Sequence, residues 1–182
     1  QILPEKEKMV VAIGGNSRSG KSTLTTALSR VMKEEGKSVF RINLDDWILP
    51  KTERETEIDV YSNFQLEQLE QDVKSILDGK ELSLDVYAPH PERKEVKKTY
   101  RYNNEEIILI EGIVALGSKS LRELSDIKVF KDISSFMLKA RLKRFYAWKE
   151  YSNDQFEALY AKREKDEYEI IEKDRFFADL VV

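Results

Sequence analysis

Apolar positions along the chain fall into short unbroken runs that alternate with longer, spaced stripes. Residues 9–13 form an apolar run that breaks at Gly14-Gly15, which predicts a buried strand ending in a loop. Residues 22–35 then carry Leu24, Ala27, Leu28, Val31 and Met32 at helical spacing, and Gly36 closes the helix. A second strand is expected over 38–44, stopping at Asp45-Asp46-Trp47 ahead of Pro50. Residues 51–62 are polar without a period and read as a surface loop. Over 64–77, Leu66, Leu69, Val73, Ile76 and Leu77 share one helical face, and Asp78-Gly79 ends it. Two alternating segments, 82–87 and 96–102, flank Pro89 and Pro91 and predict a small hairpin or flap. Ile107-Ile108-Leu109-Ile110 is an unbroken run suited to a central parallel strand. A short strand at 127–130, two charged helices at about 134–150 and 153–174, and a last strand at 179–182 complete the pattern.

Strands alternating with helices predict an α/β fold with a mostly parallel central sheet. A length of 182 residues favours one domain over the whole of 1–182, with a hairpin at 82–102 and a helical lid near 141–153. Charge adds exclusions. The net charge of −3 leaves no basic footprint for nucleic acid. With no cysteine and His90 as the one histidine, a disulfide scaffold, a thiolate metal site, a cysteine nucleophile and a multi-histidine cluster are all excluded. Gln1 to Lys8 lacks the apolar core of a signal peptide, and no run approaches the roughly 20 apolar residues of a membrane span. A cytoplasmic enzyme fits this profile.

The loop after the first strand narrows the chemistry. Gly15-Asn16-Ser17-Arg18-Ser19-Gly20-Lys21-Ser22 has the Gly-x4-Gly-Lys-Ser spacing of a phosphate-binding loop between strand and helix, and Thr23 follows it. Glycines let the backbone curl so that several N–H groups point at phosphate oxygens, and the helix adds its positive dipole end. Lys21 is expected to reach the β- and γ-phosphates of ATP, and the Ser22 hydroxyl to ligate Mg²⁺. Arg18 suits either phosphate or solvent.

Two carboxylate positions go further. Asp45 is the first residue past the second strand, where ligands of open α/β sheets bind, and a carboxylate there can take a proton from an attacking hydroxyl. Asp46 suits either that task or a cap before Pro50. Trp47 suits stacking on a substrate ring, a core position or a lid hinge. Glu111, after the apolar run of 107–110, has the place of a Walker B acid near Mg²⁺ or of a turn residue at a strand end. No guanine-reading Asn/Thr-Lys-x-Asp segment follows, which weakens a GTPase reading.

Three segments stand together: Gly-Gly-Asn-Ser-Arg-Ser-Gly-Lys-Ser-Thr at 14–23, Leu-Asp-Asp-Trp at 44–47 and Ile-Ile-Leu-Ile-Glu-Gly-Ile-Val-Ala-Leu at 107–116. The combination resembles the uridine kinase and phosphoribulokinase-like family of P-loop small-molecule kinases, over nearly the whole chain. The resemblance implies a three-layer P-loop fold with helices on both faces of the sheet. It makes Asp45 the catalytic carboxylate, and Arg141 and Arg144 lid arginines that clamp phosphates. It implies ATP-dependent transfer to a hydroxyl of a small acceptor, with uridine or cytidine first among candidates. Lys149 and Tyr151 stand where the family's lid carries a further arginine pair, and the loop over 51–63 is shorter than the family's. The base-reading Tyr…His region is spaced differently in Tyr87-Ala88-Pro89-His90-Pro91-Glu92-Arg93. Asp-Asp before an aromatic also resembles nicotinamide riboside kinases. Tyr87, His90 and Arg93 are substrate-side candidates, with Tyr87 equally suited to the core and His90 to a surface loop. Asp59 and Tyr61 lie where an acceptor ribose would be held. The rival readings are a kinase of the same fold for another acceptor (nicotinamide riboside, a pantothenate-like compound or a sugar phosphate) and a nucleotide-binding regulatory protein without catalysis.

Overall fold

Two strands with no polar break set the frame of the computed structural model, which describes residues 8–50, 53–54, 59–86 and 96–182. Strand β1 (Met9–Gly14) and strand β5 (Ile107–Glu111) pair in parallel, from Met9 against Ile107 to Ile13 against Glu111. Strand β2 (Val39–Asn43) adds to the far side of β5, β6 (Ile127–Phe130) to the far side of β1, and β7 (Leu180–Val181) to β6. The order is β2-β5-β1-β6-β7 and every pairing is parallel, as the unbroken apolar runs predict.

Alternation along each strand sends side chains to two faces. Val10, Ala12, Ile42, Ile108 and Ile110 face one way and pack with Leu69, Val73, Ile76 and Leu77 of helix α2 (Leu66–Leu77). Val11, Ile13, Ile107, Leu109 and Val129 face the other and are covered by Leu24 and Leu28 of helix α1 (Lys21–Glu34). Helices on both faces of a parallel sheet give the three-layer α/β architecture. The apolar stripe expected on α1 is narrower than its period suggested. Ala27 and Val31 are exposed, while Thr25 and Ser29 are buried. The Thr25 hydroxyl bonds to the Lys21 carbonyl and to Glu111, so polar contacts to the strand ends replace apolar packing at that turn.

Strands β3 (Leu82–Val86) and β4 (Val96–Tyr100) form a separate antiparallel pair, Leu82 opposite Tyr100 and Val86 opposite Val96. Tyr87, His90 and Arg93 lie outside the described residues. A short helix α3 (Lys119–Leu124), capped by Ser118 and anchored by Leu121, precedes β6; its six residues are too few to register as a period. Helix α4 (Ser135–Trp148) and helix α5 (Asn153–Arg163) share a small core of their own: Leu138, Leu142, Phe156, Tyr160 and Tyr168. The helical run predicted to 174 continues from α5 through a π-helical turn at Glu164–Tyr168 into α6 (Glu169–Lys173). No helix among the described residues is long and apolar enough to cross a membrane.

Trp47 is a core residue. It is 4% exposed, its indole lies on the Tyr100 ring at 5.5 Å, and its Nε1–H donates to Asp72 Oδ2 at 2.7 Å. The substrate-stacking role gives way to packing, because its ring is buried and its one donor is used inside the protein. Trp47→Ala should cost about 3–5 kcal/mol of folding stability. Urea unfolding checks this, and a loss under about 1 kcal/mol would show that the side chain is dispensable to the core.

Candidate active site

The loop that follows β1 carries three residues with positive φ: Gly15 (131°), Arg18 (63°) and Gly20 (107°). Gly15 has a second constraint, because a Cβ there would stand 2.5 Å from the Lys131 carbonyl oxygen. The resulting curl brings Lys21 back over the loop, where its Nζ donates to the carbonyls of Gly15 (2.9 Å) and Asn16 (2.8 Å). No side chain caps the first turn of α1, so its N–H groups remain available to an anion. Asn16 Oδ1 and Ser19 Oγ are buried without a hydrogen-bond partner. Unpartnered buried polar atoms are rare enough in native proteins to need a cause, and for Ser19, whose hydroxyl can donate, a phosphate oxygen in the loop supplies one. Ser22 and Thr23 stand exposed at the helix start, and Ser17 is half-buried.

Strand register gathers the carboxylates at the same edge. Glu111 lies level with Ile13 of β1 and Asn43 of β2, so all three strands end together beside the loop. Glu111 is buried; its Oε2 accepts from Thr25 Oγ1 at 3.1 Å and its Oε1 from Arg41 Nη2 at 3.4 Å. Asp45 lies two residues past Asn43 on the 3₁₀ turn Leu44–Trp47, whose start is fixed by the Asn43 side chain accepting from the Asp45 N–H at 3.1 Å. Its side chain opens at the rim of the edge, yet surrounding protein strips away enough water to push its pKa up. Lys21 pulls that pKa down, while Glu111, Asp46 and Glu167 push it further up. Lys21 shows the converse: burial lowers its pKa, against the pull of Asp45, Glu167 and Glu111. Lysine and carboxylate therefore share one electrostatic environment.

Asp46 is turned away from this edge. It is buried, accepts from the Tyr100 hydroxyl, and pairs with Lys98 Nζ at 2.5 Å. Both partners lie on β4, so Asp46 fastens the β3–β4 hairpin to the turn that carries Asp45. Burial, reinforced by Asp46, pushes the Tyr100 pKa above the ordinary phenol range and keeps the hydroxyl a donor. Asp59 caps the turn at Val60–Asn63, and Tyr61 donates to Asp174 Oδ2 at 2.6 Å.

Helix α4 reaches the loop through Arg141. Its Nη1 donates to the carbonyls of Arg18 and Ser19, each at 3.1 Å. The Arg18 guanidinium in turn lies 3.7 Å from the centre of the Phe145 ring. Arg144, almost one turn beyond Arg141 on α4, is exposed. Two residues that the sequence did not single out also belong here. Arg163 and Glu167 form an ion pair whose carboxylate acts on both Lys21 and Asp45. In sequence they sit inside the charged run 162–167, and their i,i+4 spacing is the only signal, one shared by ordinary surface pairs.

Known proteins give this arrangement a context. The profile of the phosphoribulokinase / uridine kinase family matches residues 10–182. The uridine kinase of Ligilactobacillus salivarius is 31% identical over 136 residues, covering 70% of this chain and 62% of that protein. Uridine-cytidine kinase B of Dictyostelium discoideum is 31% identical over 137 residues, 71% of this chain and 55% of that protein. The chain thus spans about three fifths of the length of these two relatives. Over 98% of the chain, a uridine kinase of Streptococcus pneumoniae is 26% identical, with 86% of that protein covered. Among solved structures, a possible uridine kinase from Bacillus stearothermophilus superposes with a TM-score of 0.66 at 25% identity, covering 99% of this chain and 91% of that one. Phosphoribulokinase from Rhodobacter spheroides shares the fold, with a TM-score of 0.70 at 13% identity over 96% of this chain and 69% of that one.

Proposed function

Since the chain belongs to the phosphoribulokinase / uridine kinase family, we propose that it transfers the γ-phosphoryl group of ATP to a hydroxyl of a small metabolite, with a nucleoside such as uridine or cytidine as the acceptor. The observation that carries the proposal is that the loop bearing Lys21 and the turn bearing Asp45 both lie at the carboxyl edge of the parallel sheet, where β1, β5 and β2 end level with one another. A phosphate-holding cation beside an unengaged carboxylate is what transfer to an alcohol requires.

In this reading Lys21 and the loop amides from Gly15 to Thr23 hold the triphosphate. Asp45 accepts the proton of the acceptor hydroxyl as its oxygen bonds to the γ-phosphorus and the bond to the β-phosphate oxygen breaks, releasing ADP. Arg141 and Arg144 close over the phosphates and exclude water, the competing acceptor. Mg²⁺, when bound, neutralises charge on the β- and γ-phosphates. Ser22 would hold it, with Glu111 nearby. Among the described residues no three His, Cys, Asp or Glu side chains converge as a metal cage. That suits Mg²⁺, which keeps several waters and takes one or two protein oxygens plus substrate phosphates. We read 1–182 as one kinase domain, with the hairpin on the acceptor side, the lid at 141–153, and the cytoplasm as its setting.

The test is ADP release from ATP with a panel of uridine, cytidine, nicotinamide riboside, pantothenate and a sugar phosphate. Uridine or cytidine should give the highest kcat/KM. Preference for another member would move the acceptor assignment, and ATP binding without release in any case would make the protein a nucleotide-binding regulator.

A further inference from the structure

Asp45 hangs on a turn whose two shoulders are tied to a single phenol. Tyr100 is the last residue of β4 and is 3% exposed. β2 is an edge strand of the main sheet, and Asn43 ends it. The Asn43 N–H donates to the Tyr100 hydroxyl oxygen at 3.2 Å, and the Asn43 carbonyl oxygen lies 3.4 Å from the same atom. Asp46, on the other side of Leu44-Asp45, accepts from that hydroxyl through Oδ2. A phenol has one proton to give. It goes to the Asp46 carboxylate, because a hydrogen bond to a charged acceptor is the stronger one. The hydroxyl thus receives from the strand-end N–H and gives to the carboxylate. Residues 43 and 46 bracket Asp45, and Asn43 also bonds to it directly, its side chain accepting from the Asp45 N–H at 3.1 Å.

The phenol is itself held firmly. Its ring stacks on Trp47, whose indole is anchored to Asp72 of α2. Lys98, two residues earlier and so on the same face of β4, pairs with Asp46 Oδ2 at 2.5 Å and compensates its buried charge. A buried polar network with its members satisfied holds one arrangement, whereas a single 3₁₀ turn has poorer hydrogen-bond geometry and little stiffness of its own. The turn Leu44–Trp47 therefore takes its shape from β4. Resting on the function proposed above, we propose that Tyr100 is a positioning residue for the transfer: through Asn43 and Asp46 its hydroxyl fixes the turn that presents the Asp45 carboxylate to the acceptor. Tyr100 touches neither nucleotide nor acceptor in this arrangement and acts through Asp45. The phosphate loop lies outside the network, so nucleotide binding does not depend on it.

The experiment compares wild type with Tyr100→Phe, Asp46→Ala and Asp46→Asn, reading kcat with uridine (or the acceptor that the panel selects), the KM for ATP and the melting temperature. Tyr100→Phe keeps the ring on Trp47 and removes only the hydroxyl. It should lower kcat by about 10- to 10²-fold, the scale of a misplaced catalytic group, with the KM for ATP unchanged. Asp46→Ala should show the same split. Asp46→Asn leaves an amide oxygen for the Tyr100 hydroxyl and frees Lys98 to solvent, so kcat should stay within about threefold of wild type. A Tyr100→Phe protein with wild-type kcat overturns the proposal, even if it melts earlier; the hydroxyl is then a fastening of the fold alone. Loss of kcat with an equal rise in the KM for ATP overturns it too, since the damage then extends to the phosphate loop. So does Asp46→Asn as slow as Tyr100→Phe, because the retained hydrogen bond would then count for nothing. If Asp46→Ala does not fold, the other two variants decide. Absence of turnover by the wild type with every acceptor overturns the kinase reading itself, and this inference with it.

Discussion

Asp45→Asn should lower turnover by about 10²–10⁴-fold, the range that a positioned general base contributes, while ATP binding stays within a few-fold of wild type. The substitution keeps the size of the side chain and its place on the turn held by Asn43, so the loss would report the proton acceptor rather than the scaffold. The pH dependence sharpens the case. Burial raises the Asp45 pKa, so the acid limb of the pH–rate profile should lie above the ordinary carboxylate range, with activity falling as pH drops through it. The stability consequence has the opposite sign. A carboxyl whose folded pKa is raised binds its proton more tightly in the folded chain. It favours folding below the unfolded pKa, and that contribution is lost as pH rises through the folded one. At neutral pH Asp45→Asn should therefore leave melting temperature unchanged or higher. Near-normal turnover in this variant would remove Asp45 from the role of base, and a large fall in melting temperature would make the activity loss uninformative about it.

Lys21→Ala should weaken nucleotide binding and turnover together, by about 10²–10³-fold or more in kcat/KM. Lys21 is buried and bonded to two carbonyls of its own loop, so the same side chain shapes the loop and supplies its cation. Removing it also leaves Asp45, Glu111 and Glu167 without the positive charge that all three act upon. Titration with a non-hydrolysable ATP analogue checks the binding half and initial rates the other. Unchanged affinity for the analogue would contradict the placing of the triphosphate on this loop.

How much of this was legible in the sequence depends on whether a feature is local. The strands at 9–13 and 107–110 are contiguous apolar runs, and being buried on both faces leaves no other pattern open to them. The phosphate loop is contiguous as well, and its glycines are needed where φ is positive, so spacing alone found it. Helix α1 was found but its buried face was misjudged, because Thr25 and Ser29 turn inward where Ala27 and Val31 were expected. A polar residue reads as exposed until Glu111, 86 positions away, is seen to accept its hydrogen bond. Trp47 was open between core and substrate because a single aromatic after a strand has no periodic context. Tyr100 and Asp72 resolve it by long-range contact. Asp46 likewise waited on Lys98 and Tyr100, more than fifty positions downstream. Arg163 and Glu167 were illegible for the same reason. Their spacing is that of any surface ion pair, and only the fold puts the Glu167 charge where it bears on Lys21 and Asp45. Tyr87, His90 and Arg93 lie outside the described residues, so the acceptor side of the hairpin rests on sequence.

The transfer itself is tested most directly by following the label from [γ-³²P]ATP in the presence of Mg²⁺ and uridine, for wild type and Asp45→Asn side by side. The proposed mechanism predicts that wild-type protein moves the label into a uridine monophosphate and that the variant leaves it on ATP. Label released only as inorganic phosphate, or found on uridine to the same extent with both proteins, would contradict it.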